Sequence, residues 1–268
     1  KSGKLDITGS SAEAIYWDEP RNCLFNMEFD SLDLDILRNL FPESFPLGGR
    51  LFARGKGEWL GDRRFSWQGR GRIEEGTLGW KTGESVNGQI VANIDKATLD
   101  WNWHKEFLGY GLALTLKEGG SLTGKGTLPI AAELPLKIRK NDALKGKITA
   151  DMREWGLLTA LLPDLVRETK GEIDADITLG GTWNKPLING DLTLRNMGGY
   201  LPSAGVQLQD VTLNTVFQGR EAKIADIQAR SGPGSLKGTG SLTFPRAGEF
   251  KYRLELKGKD FQLANLPE

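Results

Sequence analysis

The sequence predicts an all-β protein: an elongated, curled β-sheet with a hydrophobic groove, mostly antiparallel, carrying one or two short helices. Three observations predict it. Apolar residues recur at every second position in segment after segment. Clusters bearing glycine, asparagine and aspartate separate those segments at the roughly 8–12-residue spacing of all-β folds. Glycine supplies 35 of the 268 residues and proline only 11. That glycine share is nearly twice the ordinary one and has no three-residue period, which excludes collagen.

In chain order, the sequence begins at Lys1 inside what reads as a strand, with no initiator methionine or signal peptide, as an excised fragment would. Cys23, Phe25, Met27 and Phe29 then share one strand face. Ser31 to Phe41 changes to helical spacing, with Leu34, Leu37, Leu40 and Phe41 on one stripe behind Ser31 as N-cap and Pro42 closing it. Gly48-Gly49 reads as a turn, and Ala97, Leu99, Trp101 and Trp103 as a strand face. After a turn at Glu118-Gly119-Gly120, Leu134, Leu136 and Ile138 alternate, followed by a turn at Lys140-Asn141-Asp142 and a strand through Leu144, Ile148, Ala150 and Met152. Trp155 to Val166 is the second helix, with Trp155, Leu158, Leu161, Leu162 and Leu165 on its stripe and Pro163 kinking or closing it.

The clearest strand runs from Gly171 to Gly180, with Ile173, Ala175, Ile177 and Leu179 facing one way and Glu172, Asp174, Asp176 and Thr178 the other. Leu192 and Leu194 continue the pattern. Turns at Gln218-Gly219-Arg220 and Arg246-Ala247-Gly248-Glu249 precede a strand that sets Phe250, Tyr252, Leu254 and Leu256 against Lys251, Arg253, Glu255 and Lys257. The pattern totals roughly 16 to 18 strands.

The chain also repeats itself. Ile36-Leu37-Arg38-Asn39-Leu40-Phe41-Pro42-Glu43 matches Leu157-Leu158-Thr159-Ala160-Leu161-Leu162-Pro163-Asp164, with 121 residues between Pro42 and Pro163. Gly120-Ser121-Leu122-Thr123-Gly124-Lys125-Gly126 matches Gly234-Ser235-Leu236-Lys237-Gly238-Thr239-Gly240, with 114 residues between Gly120 and Gly234. Two ordered matches at nearly equal offset indicate duplication. The expected divisions are the end of a preceding repeat (1–30), a divergent β-groove repeat (31–154), a second β-groove repeat (155–256) and the start of the next (257–268). The paired glycines fall on the apolar face, where missing side chains let a sheet of this size curl. They match neither G-x-G-x-x-G nor a P-loop, so they do not read as a phosphate cradle.

Composition removes several kinds of chemistry. With 35 basic and 35 acidic residues, the chain lacks the basic surplus of a nucleic-acid binder. One cysteine closes no disulfide, and one histidine with one cysteine builds no Cys/His zinc site. No run of 18 apolar residues occurs that could span a bilayer as a helix. His104 sits on a strand's polar face as a solvated side chain, Asp33/Asp35 and Asp174/Asp176 lie on polar positions, and Cys23 reads as a small buried hydrophobe. No catalytic, metal or cofactor site is expected, and the chain is not expected to be an enzyme. Eight tryptophans admit three readings: core or rim packing first, then sugar-stacking platforms, or anchors beside an apolar groove.

Three motifs in the second repeat converge: Gly180-Gly181-Thr182-Trp183-Asn184-Lys185-Pro186-Leu187-Ile188-Asn189-Gly190-Asp191-Leu192-Thr193-Leu194, Gly205-Val206-Gln207-Leu208-Gln209-Asp210-Val211, and Ser231-Gly232-Pro233-Gly234-Ser235-Leu236-Lys237-Gly238-Thr239-Gly240. In that order they resemble the repeat of the TamB/AsmA-like family across residues 155–256. The first repeat departs from it, since Trp59 to Arg64 lacks the turn proline. The resemblance implies a long periplasmic sheet folded into a taco-shaped groove, anchored to the inner membrane of a Gram-negative bacterium by a preceding segment absent here. It implies a bridge that moves phospholipid between inner and outer membranes. It also implies a link to outer-membrane protein assembly through a BamA-type, TamA-like barrel met by a region outside this segment.

The alternation itself predicts a lipid groove lined by Ile173, Ala175, Ile177, Leu179, Leu192, Leu194, Leu213, Phe217, Leu236, Leu242, Phe250, Tyr252, Leu254 and Leu256. About 17 strands would give roughly 80 Å of groove. The competing readings are a glycan-binding or adhesive β protein, and a scaffold that captures outer-membrane strands through its edge.

Overall fold

The structure, a computed structural model, describes residues 2–9, 23–34, 47–81, 89–117, 119–154, 158, 166–246 and 249–262, with side chains described for these except 2–9, 47, 78–81, 89–92, 154, 246 and 250. Sixteen strands form among the described residues: β1 (Ser2–Gly9), β2 (Cys23–Asp33), β3 (Leu47–Gly61), β4 (Arg64–Lys81), β5 (Gln89–His104), β6 (Phe107–Leu116), β7 (Gly120–Leu128), β8 (Ile130–Ala131), β9 (Lys137–Ile138), β10 (Lys145–Glu154), β11 (Arg167–Gly181), β12 (Pro186–Leu201), β13 (Val206–Gly219), β14 (Glu221–Ser231), β15 (Gly234–Arg246) and β16 (Glu249–Lys259). Fourteen make one sheet in chain order, β1 to β7 followed by β10 to β16, and β8 pairs only with β9. Every pairing is antiparallel. β1 and β16 are the two edges, so the sheet is open rather than a barrel. At ordinary strand spacing it extends roughly 60 Å across its strands, shorter than expected from about 17.

Residues directly opposite in an antiparallel pair share a face, so the register tests whether the alternation is kept from strand to strand. One row runs Gly3, Phe29, Ala53, Gly71, Leu99, Leu112, Gly124, Ile148, Ile177, Gly190, Phe217, Ala222, Leu242, Tyr252. An adjacent row on the other face runs Glu28, Arg54, Arg70, Asp100, Gly111, Lys125, Lys147, Thr178, Asn189, Gln218, Glu221, Thr243, Lys251. The first contains no charge and the second no apolar side chain. A one-residue slip anywhere would exchange the faces beyond it, so burial of one face specifies the whole register.

The two long rims differ. One carries tight turns at Asp62–Arg63, Lys105–Glu106 and residues 182–185. The other carries bulges, where pairing slips between Phe29 and Leu32, Gly48 and Arg50, Ile94 and Lys96, Leu194 and Met197, and Gln209 and Thr212. Left-handed backbone at Ser31, Glu75, Asn196 and Asp210 accompanies them. Each extra residue bends its strand. Apolar side chains are well buried along this rim at Leu34 (2% exposed), Ile94 (3%), Val206 (4%) and Met197 (5%).

Three expectations change. Gly48-Gly49 is a bulge inside β3, where Gly49 adopts φ +119°, rather than a turn between strands. Such bulges shift the apolar period by one residue without ending the strand, which is why β4 reaches 18 residues. Ser31 lies within β2 rather than capping a helix; the rest of the first helix candidate beyond Leu34, and the second apart from Leu158 (helical) and Val166, lie outside the described residues. Leu134, Leu136 and Ile138 do not form a face of the sheet: only Lys137 and Ile138 belong to a strand, the short β9. Pro129 and Pro135 explain this, because neither can donate to a ladder.

Candidate functional site

The register brings the sequence-predicted groove residues onto one face. Ile173 lies opposite Leu194 and Leu194 opposite Leu213; Ala175 opposes Leu192, and Leu179 continues the same side of β11. Phe217 and Ile177 both oppose Gly190. Leu242 opposes Tyr252, while Leu254 and Leu256 oppose Gly240 and Gly238; Leu236 lies across from Gly258. The side chain of Phe250 is outside the described residues. The same face continues through β2 to β7 by way of Phe25, Met27, Leu51, Ile73, Trp101 and Leu114. These residues show the same alternation in sequence, but interleaved Gly55, Gly57, Gly69 and Gly71 interrupt its apolar signal.

Among the described residues no second sheet covers this face; the only other one is the β8–β9 hairpin. Ile173 and Ala175 are nevertheless only 9% and 8% exposed, because neighbours on the same curled face shield them. Toward β16 the shielding falls away: Leu254 is 42% exposed, Leu256 45% and Tyr252 67%. The face is also floored differently along its length. Large side chains lie flat over the glycines of the neighbouring strand. A Cβ on Gly57 would clash with Cζ, Cε1 and Cε2 of the Phe25 ring, and one on Gly240 or Gly238 would come 2.5 or 2.6 Å from Cδ2 of Leu254 or Leu256. Trp101 covers Gly69 in the same way.

Five aromatic rings cluster near the tight-turn rim. Trp59 stacks on Phe65 at 6.1 Å, Phe65 meets Trp103 edge-on at 5.0 Å, and Trp67 meets Trp101 edge-on at 5.1 Å. Trp103 Nε1 donates to the Ile130 carbonyl at 2.9 Å. The buried Nε1 atoms of Trp67 and Trp101 have no acceptor among the described residues, as befits rings laid on an apolar face. Trp59, Trp67, Trp101 and Trp103 thus pack against other rings of this face, the contact that the first of the three readings expects.

On the opposite face, ion pairs cross the strands. Arg54 donates to Glu28 (Nε to Oε1, 2.9 Å), Arg70 pairs with Asp100, Lys147 with Asp176 at 3.0 Å, and Arg72 lies 4.2 Å over the Phe52 ring. These groups are exposed, and such pairs contribute little individually. An open trough of about 890 Å³ between the Arg54 and Lys56 rows is lined by the pairs Arg54–Glu28 and Arg70–Asp100 and by the amides Asn26, Gln68 and Asn102, among others. His104 is exposed at the end of β5. No group of three or more potential metal ligands occurs among the described residues.

Between β7 and β10 the chain leaves the sheet and laces the tight-turn rim together. Leu134 N donates to the Arg63 carbonyl, Ala132 N to the Lys105 carbonyl, and Asn184 N to the Lys140 carbonyl, at 2.9, 2.6 and 3.1 Å. Arg139 pairs with Glu106 and, at 2.5 Å, with Asp142. Desolvation lowers the Arg139 pKa, but these two carboxylates outweigh it and raise it.

Comparison with known proteins adds one finding. A family model described as TamB, N-terminal domain, matches residues 23–194, from the first residue of β2 into β12. It covers 172 of the 268 residues and crosses the expected repeat boundary at 154/155. No curated protein and no solved structure matches the chain.

Proposed function

The chain belongs to the TamB family, and from that premise we propose that it is a section of a periplasmic bridge-like conduit, carrying phospholipid acyl chains along its apolar face between inner and outer membranes. The observation that carries this reading is the row from Gly3 to Tyr252: fourteen strands contribute to it and no charged side chain interrupts it. A sheet whose only task was stability would bury such a face against a second layer. Each CH₂ taken from water gains about 0.8 kcal/mol, so an acyl chain needs an apolar path through an aqueous compartment. Moving from bilayer to an equally apolar groove changes that term little, and transfer needs no catalytic group.

The fourteen residues from Ile173 to Leu256 named from sequence are the proposed lining, extended by Leu99, Leu112 and Trp101. On this reading the membrane anchor and the contact with a TamA-like barrel lie in other segments of the protein. Native mass spectrometry of the purified chain tests the reading. Bound phospholipid, displaced by added fatty acid, supports it. Lipid-free protein that instead retains oligosaccharide overturns it in favour of a glycan-binding role.

A further inference from the structure

The excursion between β7 and β10 leaves three large apolar side chains exposed. Its root is packed: Pro129 is fully buried, and Ala131 and Ala132 are 8% and 2% exposed. Its tip is the reverse, with Leu134, Leu136 and Ile138 45%, 56% and 52% exposed. The tip is rigidly held, since the backbone bonds to Arg63, Lys105 and Pro129 fix it to two turns and to itself.

The charges around it are uneven. Residues 62–64, the Lys105–Glu106 turn and the excursion carry six cations (Arg63, Arg64, Lys105, Lys137, Arg139, Lys140) and four acids (Asp62, Glu106, Glu133, Asp142). Every acid is engaged: Asp62 by Arg64, Glu133 by Lys137, and Glu106 and Asp142 by Arg139. Arg63, Lys105 and Lys140 are exposed and form no ion pair among the described residues. Three exposed aliphatic side chains thus share this rim with three exposed cations that have no ion-pair partner among the described residues.

We infer that this tip is a bilayer-contact element, inserting Leu134, Leu136 and Ile138 among the acyl chains of an anionic phospholipid surface while Arg63, Lys105 and Lys140 meet its headgroups. The chemistry matches both layers of such a surface, apolar at the centre and cationic at the edge. A second copy of the chain fits less well. The patch is far smaller than the roughly 1,000 Å² a stable interface needs, and two such tips would oppose like charges. The inference is independent of the acyl groove, which lies on the sheet face rather than at its rim.

Vesicle flotation of the 268-residue chain tests it. Binding is expected to vesicles of phosphatidylethanolamine with phosphatidylglycerol, to weaken with added salt, and to be much lower on phosphatidylcholine alone. The triple variant Leu134→Ser/Leu136→Ser/Ile138→Ser and the triple variant Arg63→Glu/Lys105→Glu/Lys140→Glu should each lose about tenfold in binding. Both alter exposed side chains, and unchanged circular dichroism identifies them as folded. Asp176→Asn, on the polar sheet face, should float as the parent does. Undiminished flotation of both tip variants would overturn the inference, as would loss confined to the apolar-face variant Ile177→Asp, which would assign vesicle binding to the groove. Self-association abolished by the tip variants would instead make the tip an interface between copies.

Discussion

Gly57 and Phe25 oppose one another on β3 and β2, and the ring occupies the space where a side chain on the glycine would begin. Gly57→Ala should therefore destabilise the sheet by about 1–3 kcal/mol through overpacking, and most of that cost should vanish in a Phe25→Ala background. A double-mutant cycle by urea denaturation measures it; an unchanged cost in both backgrounds would mean that the ring does not rest on Gly57. The tryptophans give a second comparison, because Trp103 Nε1 has an acceptor and Trp101 Nε1 has none among the described residues. Both lose similar volume on change to phenylalanine. Trp103→Phe alone forfeits a hydrogen bond and strands the Ile130 carbonyl, so it should cost about 1 kcal/mol more than Trp101→Phe. Equal costs would contradict the packing described.

β11 shows what one strand contributes. Ile177 faces the apolar side, and Asp176, paired with Lys147, the polar side. If the apolar side carries lipid, Ile177→Asp or Leu254→Asp places a carboxylate in the path and should abolish complementation in cells carrying the full-length protein. Asp176→Asn and Glu255→Gln should complement fully, with protein level and proteolysis separating loss of transport from loss of fold. Selective loss through Asp176 or Glu255 would mean that the functional side is the other one. β11 was also the most legible element in the sequence, because Ile173, Ala175, Ile177 and Leu179 alternate over seven residues without a bulge. The face on β3 and β4 was less visible: Gly55, Gly57, Gly69 and Gly71 occupy its apolar positions, and glycine carries no hydrophobic signal. The rim excursion was misread for a different reason, since Leu134, Leu136 and Ile138 alternate like a strand while the flanking prolines and turn hydrogen bonds draw them off the sheet. Bulges such as Gly49 were hidden because the periodicity they break resumes on the same strand.

Among the described residues the large sheet is a single layer in which each strand pairs only with its neighbours in chain order. Stability in such an array is a sum of neighbour terms, so edges should open before the centre. Hydrogen exchange should release β16, whose residues Lys251 to Lys259 are all exposed, well before β11 to β13; uniform protection would argue for a closed, globally cooperative core. The central claim, that one face of this layer carries acyl chains, is tested most directly by a photocrosslinking amino acid placed in turn at each position from Glu172 to Leu179 in cells. Phospholipid adducts are predicted at 173, 175, 177 and 179 and not at 172, 174, 176 and 178. Adducts without that two-residue period, or their absence from all eight positions, would contradict it.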